Sequence, residues 1–292
     1  MGIPRKDPKT QALSEAIESL LVARNPRQMQ RARAALAPGY LLRAARMLHQ
    51  CCDSDAHSTV IIGTGFPVTG TFETDGPAGA IALYDALASL GGQPMIACGP
   101  PLSDALAQDY RVLALAARDV AAAEDEAREQ LAQLKPGAIV AIERPGLAAD
   151  GRYYNMRGQD ISERCYYFDP YLALADCPTI GIGDGGNEIG MGNILGTLAD
   201  MDIRPSVTRC DELVVADVSN WAAYGLLGLL GYIAGRDLLG ELAPLETLNY
   251  LSRLGSVDGV TGTNTLTEDG MPVAEGLDVI AQICMLTQRD SD

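Results

Sequence analysis

The chain has 292 residues, 47% of them hydrophobic, and a formal net charge of −16. That length and apolar content suffice for a sizeable core in one or two domains and exclude a disordered chain. The acidity argues against a protein that tracks phosphate backbones, because such proteins use Lys and Arg to displace counterions.

The charge is uneven along the chain. Residues 1–50 hold nine Lys and Arg against three Asp and Glu, so the acidity belongs to the remainder. This first stretch reads as helix: "LSEAIESLL" and "RARAALAPGYLLRAARMLHQ" place apolar residues three and four apart, with Pro26 and Pro38-Gly39 as punctuation. No apolar signal-peptide core opens the chain, Lys6 breaks the myristoylation pattern, and Asp7, Glu15 and Glu18 argue against a basic presequence. A cytoplasmic location is the expectation.

From residue 59 the pattern changes to short β-rich runs at 59–64, 94–99, 138–143, 178–183 and 212–218. Apolar spacing predicts helices over roughly 76–90, 103–117, 119–134, 187–199, 220–235 and 275–288. The uncharged run 218–235 contains Ser, Asn and four glycines, and reads as a buried helix, not a membrane span. The alternation implies an α/β fold: a largely parallel or mixed sheet flanked by helices. A helical N-terminal extension is expected over 1–56 and the main domain over 57–292. Segment 144–162 breaks the rhythm and reads as a β-hairpin lid around Asp150-Gly151.

In open α/β sheets ligands sit at the carboxyl ends of the strands, which is where the unusual residues fall. "GTGFPVTGTFETDGPAGA" (63–80) has the glycines of a phosphate loop but puts Glu73 and Asp75 at the helix mouth and lacks the Gly-Lys-[Ser/Thr] ending. One carboxylate would serve as a cap, and two ask for another explanation. After the run 178–183 comes "DGGNEIGMGN", with Asp184, Asn187 and Glu188. Gly181, Gly183 and Gly186 form a literal G-x-G-x-x-G with Asp202 downstream, yet Asp184 and Glu188 would oppose a pyrophosphate. No nucleotide cofactor is expected.

Acidic loops at neighbouring strand ends suit Mg²⁺, Mn²⁺ or an ammonium group; caps and solvated charges are the alternative. Asp258 and Asp269 add acids in the turn-rich stretch 255–270, and Arg144, Arg152 and Arg157 have the fork that binds carboxylates. The seven cysteines show no CxxC pair, so reduced thiols are expected and neither a disulfide framework nor a zinc site. His49 and His57 precede the first strand, which gives Ser-His-Asp chemistry little support.

Together "IIGTGFPV…ETDGPAGA", "ERPG…DGRYYNMRGQDIS", "GIGDGGNEIGMGN", "VSNWAAYGLL" and "VDGVTG" resemble the D-glutamate cyclase-like domain family, from about residue 57 to near the C-terminus. The resemblance implies a lyase-type enzyme that converts D-glutamate to 5-oxo-D-proline and water. Eukaryotic mitochondrial members carry this domain behind another. At the matching positions it puts Glu73, Asp75 and Asn187 in catalytic roles, and Thr64, Gly65, Arg144, Asn155 and Arg157 against the substrate. Asp184, Glu188 and Asp258 would hold Mg²⁺ or Mn²⁺. The expected partner is a small molecule, with no nucleic acid and no membrane; a homo-oligomer is compatible with the sequence. A metal-dependent phosphatase on small phosphate esters and a non-catalytic sensor of acidic ligands are the alternatives.

Overall fold

The computed structural model describes residues 8–52 and 58–288; His57 and the first seven residues lie outside this range. Helices α1 (Pro8–Leu21), α2 (Met29–Ala35) and α3 (Tyr40–Cys52) precede β1 (Thr59–Gly63). The short pair β2 (Pro67–Val68) and β3 (Thr71–Phe72) leads to α4 (Pro77–Ser89), β4 (Gln93–Cys98), α5 (Leu102–Leu106) and β5 (Val112–Ala114). Next come α6 (Val120–Leu134), β6 (Ala138–Ile142), α7 (Asp169–Ala173), β7 (Thr179–Gly183), α8 (Leu195–Leu198) and β8 (Glu212–Val215). The chain closes with α9 (Ser219–Ala234), α10 (Pro244–Arg253), β9 (Thr267–Glu268), β10 (Met271–Pro272) and α11 (Val273–Thr287).

Six strands form one sheet in the order β5-β4-β1-β6-β7-β8, and every pairing is parallel. The order runs outward in both directions from β1, so β1 and β6 flank the topological switch point of a doubly wound sheet. The central strands are buried on both faces, as a parallel sheet covered by helices requires. Val60 and Ile62 enter one core layer and Ile61 the opposite one, because successive side chains alternate across a strand.

Helix α9 is buried over most of its length and packs on α3, α4 and α11. At Gly225 a Cβ would lie 2.8 Å from Leu21 Cδ1, so glycine lets α1 approach closely. Ile17, Leu21, Leu41 and Leu48 share the core layer of α9 and the sheet. The buried Glu18 accepts from Ser14 Oγ (2.7 Å) and from the Gly39 and Leu41 amides (both 3.2 Å), fastening α1 to the start of α3. The basic residues of this region pair with the acidic body: Arg24 with Glu275 (2.7 Å) and Arg43 with Glu212 (2.6 Å).

Three elements differ from the sequence expectation. Residues 103–117 form the short α5 and then β5, which takes the open edge beside β4; edge pairing overrides the helical spacing. Residues 187–199 form a 3₁₀ turn and the four-residue α8, because Gly190 has φ +101° and the Gly190 and Gly192 amides both donate to Thr208 O. Segment 144–162 turns at Asp150-Gly151 as expected but pairs as a hairpin only at the antiparallel bridge Tyr154–Asp160, without a longer strand. It makes two tight turns, closed by Ala148 N to Arg152 O and by Asn155 N to Gln159 O, and Asp169 binds its Leu147 amide and Tyr153 hydroxyl. No helix among the described residues is long and apolar enough to cross a membrane.

Candidate functional site

The carboxyl ends of β1, β6, β7 and β8 open on a cleft of about 760 Å³. The loops leaving these strands supply the polar groups, immediately past the strand for β6 and β7. The loop after β1 carries Glu73 and Asp75, β6 runs into Glu143 and Arg144, β7 into Asp184, and β8 into Asp217. Glu73, Glu143, Asp184 and Asp269 line the cleft, with Arg27 from the α1–α2 loop among them. Arg157 and Arg164 also line it.

Asp75 lies behind this wall, at the point where two helices begin. Its Oδ1 accepts from the Gly76 amide (2.9 Å) and the Asn220 amide (2.7 Å), and its Oδ2 from the Ser219 amide (2.9 Å). Asn220 returns the arrangement: its Oδ1 accepts from the Gly76 (2.9 Å) and Gly79 (2.7 Å) amides at the start of α4. Asp75 therefore caps α9, while Asn220 caps α4. Gly76 is required between them. Its φ is +89°, and a Cβ would come within 2.7 Å of Glu143 Cβ.

Glu143 has φ +41°, a left-handed conformation that costs a non-glycine residue of order 1–3 kcal/mol. It turns the side chain into the cleft, where Oε2 accepts from Ser219 Oγ at 2.6 Å. The carboxylate of Glu73 makes no hydrogen bond among the described residues, and a Cβ at Gly259 would lie 2.2 Å from its Oε2. One carboxylate oxygen each from Asp75, Glu143 and Asp184 lie within 4.8 Å of one another. Arg27 Nη2 reaches Asp184 Oδ2 (2.6 Å), Asp269 Oδ2 (2.5 Å) and Asp217 O (2.9 Å), and its Nε reaches Asp184 O (3.1 Å).

Crowding acids away from water disfavours their ionised forms. Burial first, then Asp269 and Asp75, pushes the Glu73 carboxyl well above its ordinary range, with Arg27 opposing. Burial, then Asp269 and Glu268, moves Asp75 up to about 8, against the pull of the Asn220 and Ser219 amides. Burial and the neighbouring Glu188, Asp75 and Glu73 raise Glu143 strongly, and burial raises Asp184 despite Arg27. Burial alone would lower the Arg27 pKa; Asp184, Asp269 and Glu143 outweigh it and hold the guanidinium charged.

Of the residues singled out in the sequence, Glu73, Asn155, Arg157, Asp184, Asn187 and Asp269 line this cleft. Asn187 is 2% exposed; its Nδ2 donates to Tyr154 O, and its Oδ1 has no hydrogen-bond partner among the described residues. Asn155 accepts from the Arg157 and Gln159 amides and shapes the turn that carries Arg157, whose Nη2 meets Val260 O at 3.4 Å. Thr64, Gly65 and Arg144 line a smaller cavity of about 30 Å³ that adjoins the cleft through Phe66, Pro67, Thr71 and Arg164. Arg144 donates from Nη1 to Thr64 O (2.8 Å) and Gly65 O (3.1 Å) and from Nη2 to Tyr166 O, so these donors brace loops and do not face the main cleft.

The ligand set expected for a metal is not the set that converges. Glu188 is held within its own loop, accepting from the Gly185 (2.8 Å) and Gly186 (2.7 Å) amides. Asp258 is buried in its own loop, holding the Val260, Thr261 and Gly270 amides and the Thr267 hydroxyl. Asp75 and Glu143 take their places beside Asp184. The sequence reading missed Arg27 and Glu143. A glutamate ending the buried run AIVAI, at the same strand-end position as Asp184, was the available signal for Glu143; nothing local marked Arg27. The G-x-G-x-x-G lies in β7 and leads to a 3₁₀ turn, whereas a dinucleotide fingerprint opens a helix after the first strand.

A family model described as D-glutamate cyclase-like, C-terminal, matches residues 17–284. The chain belongs to that family. The match takes in the last five residues of α1 and all of α2 and α3. Human mitochondrial D-glutamate cyclase is 33% identical over 215 residues, which are 64% of this chain and 35% of that protein. The chain thus spans about a third of that relative's length, 35%. A crystal structure of an exopolyphosphatase-related protein from Bacteroides fragilis matches with a TM-score of 0.40 at 12% identity, over 88% of this chain and 62% of that one.

Proposed function

We propose that the chain is a lyase-type D-glutamate cyclase that closes the lactam of 5-oxo-D-proline with loss of water. The observation that carries this reading is the convergence of Glu73, Glu143 and Asp184 with Asn187 and the basic Arg27, Arg157 and Arg164 on one cleft, in a chain of this family. An acidic floor takes the ammonium group of a zwitterion, and arginine forks on the wall take its carboxylates.

The reaction is balanced in protons. The nitrogen starts as an ammonium and ends as a lactam N–H, so it gives up two protons. The carboxylate oxygen that leaves as water takes two. A carboxylate that takes each proton from the nitrogen and passes it to the departing oxygen therefore completes the cycle, and the upward-shifted Glu73, which is not one of the clustered oxygens, suits that role. Holding the amine against the far carboxyl carbon for a five-membered closure lowers the barrier further.

Asp75, Glu143 and Asp184 fit a hard divalent cation: they are oxygen donors within 4.8 Å of one another, and the unpartnered Asn187 Oδ1 lies in the same cleft. When bound, Mg²⁺ or Mn²⁺ would neutralise the far carboxylate of the substrate and make its carbon a better electrophile. The test is incubation of the purified chain with D- and L-glutamate, with and without each cation. Formation of 5-oxoproline from the D isomer is expected, and none from either isomer would end this reading.

A further inference from the structure

Arg27 stands among the acids on a loop of unusual backbone. Asn25 and Gln28, on either side of it, have φ of +55° and +61°. Two non-glycine residues in left-handed conformation persist only where surrounding contacts over-determine them. The contacts here are the Asp217 carboxylate, which accepts from the Arg24 (2.8 Å) and Asn25 (3.0 Å) amides, and those of the Arg27 side chain itself. The Arg27 side chain is 18% exposed, and its Nη1 makes no hydrogen bond among the described residues.

The guanidinium and the oxygens of Asp75, Glu143 and Asp184 share one group, Asp184. Buried carboxylates of like sign require a counter-charge, and Arg27 supplies a single one from within the chain. The unpartnered, buried Asn187 Oδ1 in the same cleft marks a donor or cation still to be accommodated. A divalent cation brought to Asp184 meets a guanidinium already in contact with it, and two cations on one carboxylate repel.

We infer that Arg27 is an exchangeable counter-cation: it and a divalent cation compete for Asp184, and cation binding displaces Arg27 together with the strained loop that carries it. The inference rests on the cation assignment made under the proposed function. It makes the α1–α2 loop the element that sets cation affinity, so Arg27 acts here as a positioning residue for Asp184.

The experiment titrates Mn²⁺ into the full chain, followed by electron paramagnetic resonance, for the wild type, Arg27→Gln and Arg27→Lys at one fixed pH. Arg27→Gln is expected to bind Mn²⁺ about tenfold or more tightly than wild type, and Arg27→Lys, which keeps the charge but loses the guanidinium's paired contacts to Asp184, to fall between the two. Hydrogen exchange on the wild type supplies a second measurement should Arg27→Gln fail to fold: Mn²⁺ is expected to speed amide exchange over residues 24–28. Equal or weaker binding by a folded Arg27→Gln, unchanged or slowed exchange over 24–28, or no Mn²⁺ binding by the wild type each overturns the exchange. D-Glutamate turnover is scored separately. A turning-over wild type with equal Mn²⁺ affinities keeps the cyclase and sinks the exchange; no turnover with tighter binding by Arg27→Gln does the reverse.

Discussion

Asp184 and Asp258 look alike in the sequence, each an acid beside glycine in a turn-rich stretch at the edge of the same cleft. Their surroundings are opposite. Asp258 accepts from Val260 N (3.0 Å), Thr261 N (2.8 Å), Thr267 Oγ1 (2.6 Å) and Gly270 N (2.6 Å). Burial raises its pKa, but the Thr267, Gly270 and Thr261 donors outweigh that and bring the carboxyl below its ordinary value. Burial, joined by Glu143, Asp269 and Asp75, drives the Asp184 carboxyl up, with Arg27 as counterweight. Donors turn a buried carboxylate into a fastening; other acids turn it into a group that seeks a proton or a cation.

The largest expected effect follows from breaking the crowded side. Glu73→Gln should lower turnover by about a hundredfold or more, the lower range for a general acid or base, and Glu143→Gln by a similar factor through loss of a cation-holding oxygen, while thermal stability holds because Gln matches the neutral carboxyl that crowding favours. Turnover near wild type in both variants would move the chemistry elsewhere.

The satisfied side should behave in the reverse way. Asp258→Asn presents an NH₂ to backbone donors and should cost about 1–3 kcal/mol of stability with kcat little changed, measured by denaturant unfolding beside the turnover assay. Asp75 belongs with Asp258 in this respect although it sits with Asp184. Both of its oxygens accept amides of Gly76, Ser219 and Asn220, so Asp75→Asn should lose stability by a similar amount, unlike an ordinary cap at which Asn substitutes freely.

Titration sharpens the contrast. Carboxyls raised in the folded state bind more protons folded than unfolded, so their contribution is present below the unfolded carboxylate pKa of about 4 and is lost as pH rises through the folded value, about 8 for Asp75. The melting temperature of the cation-free protein should therefore fall between about pH 4 and pH 8, and Mn²⁺ should recover it at the upper end. The depressed Asp258 acts in the opposite sense, its contribution being lost on acidification below the ordinary range. A flat profile above pH 5 would contradict the crowding.

The smallest effects concern the supports. Gly259→Ala would push a Cβ onto Glu73 Oε2 and should lower turnover by about tenfold through misplacement of that carboxylate. Arg157→Lys keeps the charge and loses the planar fork, so KM should rise several-fold with kcat nearly unchanged.

Much of the fold was legible because it is written in local spacing. The buried runs at 59–64, 94–99 and 138–143 became β1, β4 and β6, and the glycine-studded run at 218–235 became the central helix α9. The failures occurred where long-range pairing outweighed spacing: β5 taking the sheet edge, and the Gly190 region tied to Thr208. Within the site, the acids after β1 and β7 were visible as charges against the sense of a phosphate loop, and of these Glu73 and Asp184 line the cleft.

The sequence by itself determined an α/β chain with acidic strand ends, because burial periodicity and charge are properties of neighbouring residues. Only the tertiary structure decided which acids meet. The strand order places β6 beside β1 and β7 beside β6, bringing Glu143 to Asp184 and Asp75, while Glu188 and Asp258 are claimed by their own loops. Arg27 lies 157 positions from Asp184 in the chain. It reaches that residue because α1 and α3 pack on α9, and no local pattern encodes a partner chosen by packing.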